Sequence, residues 1–242
     1  MKQFVDLHLR PNLGETKTIE NTISKASELG YSMVGVSLPK NVKQSTRHLL
    51  KSYCDNYNLG FVTRVDLTPK SPHELLKSLR EIRRKFEIVA VNCTTKPVAR
   101  QAAKDQRVDL LVFPSINPRE RFFDAAEGKL SSKANAALEI EMTPIIKLQG
   151  VPRVRYISCL RRELRISNKF RVPIVVCSGA TDVSQLRGPY DFASLAMLFG
   201  MDSTSALRAI SMEPCSIVKR NRRKLDSGYV AQGIHVLRRG KN

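Results

Sequence analysis

The chain has 242 residues, with 41 Lys and Arg against 22 Asp and Glu, a formal net charge of +19 at pH 7. Its hydrophobic fraction of 42% suffices for one sizeable core, and no apolar run nears the roughly 18 residues that would span a bilayer. The opening MKQFVDLHL is too short and too charged for a secretory leader, and five scattered cysteines without a C-x-x-C pair argue against a disulfide framework or a zinc site.

Apolar runs predict strands at Phe4–Leu9, Met33–Leu38, Phe61–Leu67, Ile88–Asn92, Leu110–Phe113, Ala137–Met142 and Ile174–Cys177. Most are separated by amphipathic helical patterns, so the sheet is expected to be largely parallel, with crossover helices covering its faces. The predicted fold is α/β: a TIM-like (β/α) barrel, distorted or short of a strand, with extra C-terminal helices. Ser71-Pro72-His73-Glu74 and Asn117-Pro118-Arg119-Glu120 both read as helix starts, with a capping side chain, proline at the first helical position and glutamate at the third. The first of these helices should bury Leu75, Leu76, Leu79, Ile82 and Phe86. Gly30 and Gly200 fall where a left-handed helix terminator is wanted. The stretch Gly128–Asn135 reads as the most flexible connection. Residues 1–224 form one domain in this reading, and 225–242 a basic, loosely ordered tail.

The charge is uneven. Residues 151–242 hold 17 basic and 6 acidic side chains, against 24 and 16 in residues 1–150. The densest run is Lys219, Arg220, Arg222, Arg223 and Lys224, with Arg238, Arg239 and Lys241 following. Such an excess favours a polyanionic partner, nucleic acid before a membrane surface, because the KRNRRK run lacks an apolar face that could insert. Trp is absent, so base-stacking platforms are thin.

Three constellations bear on chemistry. In the first strand Val5, Leu7 and Leu9 alternate with Asp6, His8 and Arg10. Asp6-x-His8 is close to the D-x-H-x-H opening of the polymerase-and-histidinol-phosphatase metal hydrolases, but Arg10 stands where their second metal-binding histidine would be. His8 therefore reads as a barrel-interior histidine in a degenerate site. Glu139 and Glu141 point to one side of a strand, either for acid–base or magnesium chemistry or to neutralise lumen cations such as Arg10 or Lys147. Asp66 has the same two readings. Finally, Ser178-Gly179 leaves a buried strand just before Arg187-Gly188-Pro189, which would suit either a phosphate loop or a tight turn. No activated-nucleophile or nucleotide motif is present.

Six segments together, FVDLHLRP, ALEIEM, VPIVVCSGA, LRGPYD, FGMD and MEPCSIVKRNRRK, resemble the family of archaeal ribonuclease P protein component 3, related to the thirty-kilodalton subunit of the eukaryotic enzyme. They are spread over roughly residues 4–224. The resemblance implies a TIM-like barrel that has lost its metal ligands and a ribonucleoprotein that removes the 5′ leader of precursor tRNA; the scattered, unpaired cysteines fit reduced thiols in a cytoplasmic protein. It also implies that the RNA subunit holds the catalytic magnesium, that the chain itself binds no cofactor, and that a Pop-five-type protein joins it in a heterotetramer. On this reading the isolated chain is inactive, and it supports the catalytic RNA domain electrostatically and lowers the magnesium requirement. Precursor tRNA is met only indirectly. Arg10, Lys40, Arg64, Arg119, Arg187, Lys219, Arg220 and Arg223 are the expected RNA-contacting residues, because they follow strand ends or cluster near the basic C-terminal helix. The alternative is a metal-dependent phosphoesterase of the same barrel type.

Overall fold

The computed structural model describes residues 3–226, 228–231 and 234–235. In chain order the elements are β1 (Val5–Leu9), α1 (Thr16–Glu28), β2 (Met33–Ser37), α2 (Gln44–Asn56), β3 (Gly60–Leu67), α3 (Pro72–Ile82), β4 (Ile88–Asn92), α4 (Lys96–Lys104) and β5 (Leu110–Val112). Then come α5 (Ala125–Ala134), β6 (Ala137–Glu141), α6 (Thr143–Lys147), α7 (Gly150–Phe170), β7 (Ile174–Cys177), α8 (Pro189–Met197), α9 (Ser203–Ala209), α10 (Met212–Leu225), β8 (Tyr229–Ala231) and β9 (Ile234–His235). Single turns of 3-10 helix stand at Pro118–Glu120 and Val183–Gln185.

Strands β1 to β7 pair in sequence order, every pair parallel. The ring closes only at its C-terminal end, where Leu9 bridges to Ala180 and the Arg10 amide donates to the Ala180 carbonyl at 2.8 Å. At the other end, the Val5 amide donates to the Ile210 carbonyl at 2.9 Å, so the C-terminal segment stands in for a missing strand. The fold is a seven-stranded TIM-like barrel, as expected.

Two apolar layers hold it. Val5, Leu7, Val62, Ile88, Ala90, Leu110, Val112, Ala137, Val175 and Cys177 fill the interior, and Cys215, Ile217 and Val218 of α10 seal it from below. The alternate residues, among them Val34, Val36, Val65, Val89, Val91, Leu111, Leu138 and Ile140, face the surrounding helices. This two-sided burial is why the strands read as continuous apolar runs.

Helix α10 does more than plug the floor. Asn221 donates to the Glu87 carbonyl at 2.7 Å, Arg222 to the Glu87 carboxylate at 2.6 Å and to the Phe61 carbonyl at 2.8 Å, and Arg220 to Asp109 and the Asn135 carbonyl at 3.0 Å each. These acceptors lie beside the starts of β3, β4, β5 and β6. Polar groups freed at strand starts are thereby satisfied.

Strand β1 departs from the predicted alternation. Its register against β2 shifts between Asp6 and Leu9, the mark of a β-bulge. The bulge turns both Leu7 and His8 toward the interior, and Asp6 pairs opposite Val34 of the outer layer. Gly35 accommodates it: a Cβ there would lie 2.6 Å from the Leu7 carbonyl oxygen.

Other expectations need correction. Gly128–Asn135 is no loop; it continues α5, started by an Asp124–Glu127 capping box, with Gly128 packed under Phe170 and Ile166. The Asn117 start yields one 3-10 turn, because Arg121 swings inward instead of continuing a helix. The Ser71 start behaves as predicted, with Ser71 Oγ accepting from the Glu74 amide, although Leu76 is only half-buried. Gly30 and Gly200 take φ values of 89° and 102°. Within the expected tail, β8 and β9 form a two-stranded antiparallel ribbon, and Arg238, Arg239 and Lys241 lie outside the described residues. Among the described residues, no helix is long and apolar enough to cross a membrane.

Candidate functional site

The C-terminal mouth of the barrel gathers Arg64 and Asp66 from β3, His8 from β1, and Glu139 and Glu141 from β6. Arg64 is the hub. Its Nε and Nη2 donate to Asp66 Oδ1 at 3.0 and 2.7 Å, and its Nη1 donates to Glu139 Oε1 at 3.0 Å. Nη2 also lies 2.9 Å from Glu139 Oε2. Nη1 reaches the Leu7 carbonyl as well, at 3.1 Å. His8 Nδ1 sits 2.6 Å from Glu139 Oε1 and 3.3 Å from Glu141 Oε1, while Nε2 faces Asp66 Oδ2 at 3.6 Å. Ser37 donates to that same Asp66 oxygen. At the rim, Arg10 Nη2 donates to the Gly179 carbonyl at 2.7 Å and lies 3.5 Å from Glu141 Oε2.

Burial sets the electrostatics. It pushes the Glu139 carboxyl up, but Arg64 and His8 outweigh it and hold Glu139 below the usual glutamate value. Asp66 is likewise raised by burial and held well below its usual value by Arg64 and His8. Asp6 moves the other way. Burial raises it above the usual aspartate value despite bonds to its Oδ1 from the Ser178 amide at 3.1 Å and the His8 amide at 3.0 Å. Asp6 is thus a clip holding β1 to β7, and it does not share the inner face with His8 as the alternation suggested.

The depressed carboxylates give a signed pH dependence. A folded-state value below the unfolded one contributes stability that is complete above the ordinary carboxylate range, roughly pH 4–4.5, and is lost as pH falls through the folded values. The urea midpoint should therefore drop steadily below about pH 4.5. Asp66→Asn should make that decline shallower. Parallel wild-type and Asp66→Asn profiles would show that Asp66 is not among the groups responsible.

His8 Nδ1 and one oxygen each of Glu139 and Glu141 lie within 4.8 Å of one another, a spacing that by itself suits a divalent metal. The surroundings do not. Both Glu139 oxygens lie against the Arg64 guanidinium, Glu141 faces Arg10, and a dication among them would meet two fixed positive charges. These residues do not fit a resident metal. Glu139 and Glu141 neutralise cations as one of the two sequence readings held, although the principal cation is Arg64 and Lys147 lies exposed on α6.

The eight expected RNA contacts divide. Arg64 is corrected: its side chain is fully buried and cannot touch a phosphate. Arg220 is largely occupied by Asp109 and the Asn135 carbonyl in the barrel floor. Arg187 is half-buried and donates to the carbonyls of Ser184 and Leu186 at 2.8 and 2.6 Å. Arg10 stands partly exposed at the rim, and Arg119, Lys219 and Arg223 are exposed. Lys40 is exposed too; it donates to Ser78 Oγ at 2.9 Å and lines a cavity of about 460 Å³ with Arg47, Arg84 and Lys85.

The Ser178-Gly179 phosphate loop is also corrected. The Ser178 amide is held by Asp6, the Ala180 amide by Ser178 Oγ, and the Thr181 amide by Gln185 Oε1. Gly179, at φ 65°, lies against the Glu141 carboxylate, where a Cβ would approach to 3.0 Å. An anion would find these three amides occupied and a negative neighbour there.

Sequence reasoning missed Arg121. Buried beside α7, it donates to Glu163 Oε1 and Oε2 at 2.7 and 2.6 Å and to the carbonyls of Phe113 and Ser115. It also lies over the Tyr156 ring, 5.1 Å from its centroid. The one acid of α7 was the available signal.

Fold and site together define a class: a basic TIM-like barrel protein whose mouth is filled by arginine, histidine and carboxylate side chains paired with one another. The comparisons narrow it. The chain belongs to the RNase P subunit p30 family, whose pattern matches residues 3–226, in agreement with the resemblance carried by the six segments. The ribonuclease P protein component 3 of Methanococcoides burtonii is 29% identical over 235 residues, 97% of this chain and 94% of that protein. The protein of the same name from Methanosarcina acetivorans is 30% identical over 173 residues, 72% of this chain and 71% of that one. A chain in the cryo-EM structure of archaeal ribonuclease P with mature tRNA matches with a TM-score of 0.86 at 19% identity, covering 98% of this chain and 100% of that one. That likeness establishes the barrel fold.

Proposed function

We propose that this chain serves as the barrel-fold protein subunit of ribonuclease P, the endoribonuclease that removes the 5′ leader of precursor tRNA. In this reading it performs no hydrolysis itself. The carrying observation is the barrel mouth: groups at the end of a barrel where catalysts usually sit are locked in ion pairs with Arg64 and Arg10. The chain binds no cofactor of its own, and the RNA subunit holds the magnesium. The net charge of +19 supports a second element, that exposed Lys and Arg neutralise RNA phosphates so that the catalytic RNA and the precursor approach each other at lower magnesium. A Pop-five-type protein is the proposed companion, in a heterotetramer. Five free, buried cysteines fit a reducing compartment such as the cytoplasm.

The test is precursor-tRNA cleavage by the cognate RNA and the Pop-five-type protein across a magnesium titration, with and without this chain. The expected result is a lower magnesium midpoint or a higher rate with the chain, and no cleavage by the chain alone. An unchanged titration would sink the reading. Phosphoester hydrolysis by the chain alone with stoichiometric zinc or manganese would replace it with the metal-dependent alternative, for which the spacing of His8, Glu139 and Glu141 speaks and against which the two guanidiniums beside them speak.

A further inference from the structure

Helix α7 runs 21 residues, roughly 32 Å at 1.5 Å per residue. With its left-handed C-cap Arg171, it carries seven basic side chains and one acid, Glu163. That acid faces inward, bound by Arg121. Tyr156, Cys159, Leu160, Glu163, Leu164 and Ser167 form the buried face. Arg155, Arg161, Arg162, Arg165 and Lys169 are all exposed, and their spacing puts them on the opposite side.

None of these five makes an ion pair with any described residue. Arg161 and Arg162 are steadied by neutral acceptors, the carbonyls of Leu198 and Arg121, at 2.9 Å each. Arg161 and Arg165 repel at i,i+4, as do Arg165 and Lys169. The contrast with α10 is informative, since there Arg220 and Arg222 are matched by Asp109 and Glu87. On α7 the positive charge is unbalanced along its whole exposed length.

The helix also borders concave surface. Arg161, Arg165 and Asn168 line a cavity of about 250 Å³ floored by Leu164 and Phe199. Asn168 also lines a neighbouring one of about 650 Å³, together with Arg171 and Arg208. Charged side chains thus stand on the ridge and on the groove walls beside it.

We propose that the exposed face of α7 is a docking ridge for RNA phosphate backbone. This rests on the ribonuclease P reading and assigns the contact to a face that the expected residues do not include. Charge complementarity selects the occupant. A linear array of unpaired arginines suits a polyanion, whereas a protein partner's buried core favours apolar surface with few charges. The exposed apolar side chains of α7, Val151, Pro152 and Val154, all lie in its first two turns.

The test compares the full chain with Arg155→Gln/Arg165→Gln/Lys169→Gln, positions whose side chains hold no hydrogen bond in the fold. A control, Lys17→Gln/Lys51→Gln/Lys104→Gln, removes the same charge from exposed sites on α1, α2 and α4. Affinity for the ribonuclease P RNA is measured across a salt series. Three phosphate contacts predict a log–log salt slope shallower by about 2, and affinity at 0.1 M salt weaker by on the order of ten- to a hundred-fold. The control should stay close to wild type. Equal slopes for the two variants would overturn the ridge while leaving the ribonuclease P reading intact. Loss of co-elution with the Pop-five-type protein at an unchanged RNA slope would likewise overturn it, assigning the face to protein. If the wild-type chain binds no RNA at all, ridge and reading fall together.

Discussion

Arg64→Met is expected to lower the unfolding free energy by about 3–5 kcal/mol in equilibrium urea denaturation, the scale for removing one partner of a buried ion pair. The substitution fills similar space, so packing contributes little. What it removes is the permanent cation that forks between Asp66 and Glu139, and the donor that satisfies the bulged Leu7 carbonyl. The fully buried Glu139 and a main-chain oxygen are left without it, and the mostly buried Asp66 loses its guanidinium partner. Arg64→Lys should recover only part of the loss, since an ammonium cannot reproduce the fork that reaches Asp66, Glu139 and Leu7 together. Combining Arg64→Met with Glu139→Leu should be less harmful than the sum of the two alone, because each removes a charge that the other leaves stranded. The salt slope of RNA binding should not change. A loss below about 1 kcal/mol would mean that the mouth contributes little to holding the barrel together.

Glu163→Gln is the second large effect, expected to cost about 3 kcal/mol or more by the same measurement, through an uncompensated charge on Arg121. Both Glu163 oxygens accept from Arg121, which also ties the loop at Phe113 and Ser115 to α7. An amide keeps the shape and one acceptor, yet cannot balance the guanidinium. The effect on RNA should run against the effect on stability. Removing the single acid of α7 makes the helix more positive, so the folded variant should bind RNA at least as tightly as wild type. Weaker binding at full folding would tie Glu163 to orientation of the basic face.

All seven barrel strands were legible in the sequence, because strands buried on both sides must be apolar almost throughout. The polar interior was harder. Thr-Arg-Val-Asp in β3 alternates like a strand with one wet face, and period alone cannot distinguish water from a lumen lined with carboxylates; hence Arg64 read as a surface cation. The bulge in β1 was invisible for a related reason. Its existence depends on Gly35 making room in the neighbouring strand, and local alternation carries no trace of that. Helix α5 was hidden by loop-like composition, since Gly128 is required by the close approach of Phe170 and Ile166 and Ser131 turns its hydroxyl back to the Glu127 carbonyl. In α10 the positive run was plain, but only the folded barrel shows that Arg220, Asn221 and Arg222 face strand starts more than 80 residues earlier in the chain.

The seam between β1 and β7 also bears on the order of events during synthesis. The Val5 amide finds its acceptor on Ile210, and the floor under the first strand comes from residues 215–218. At about 5–20 residues per second, some 10–40 s separate translation of these partners. Throughout that interval the nascent chain carries a strand with an open edge and an uncovered apolar underside. The earliest strand to emerge is therefore among the last to be secured, and protection of that edge falls to whatever meets the chain on the ribosome.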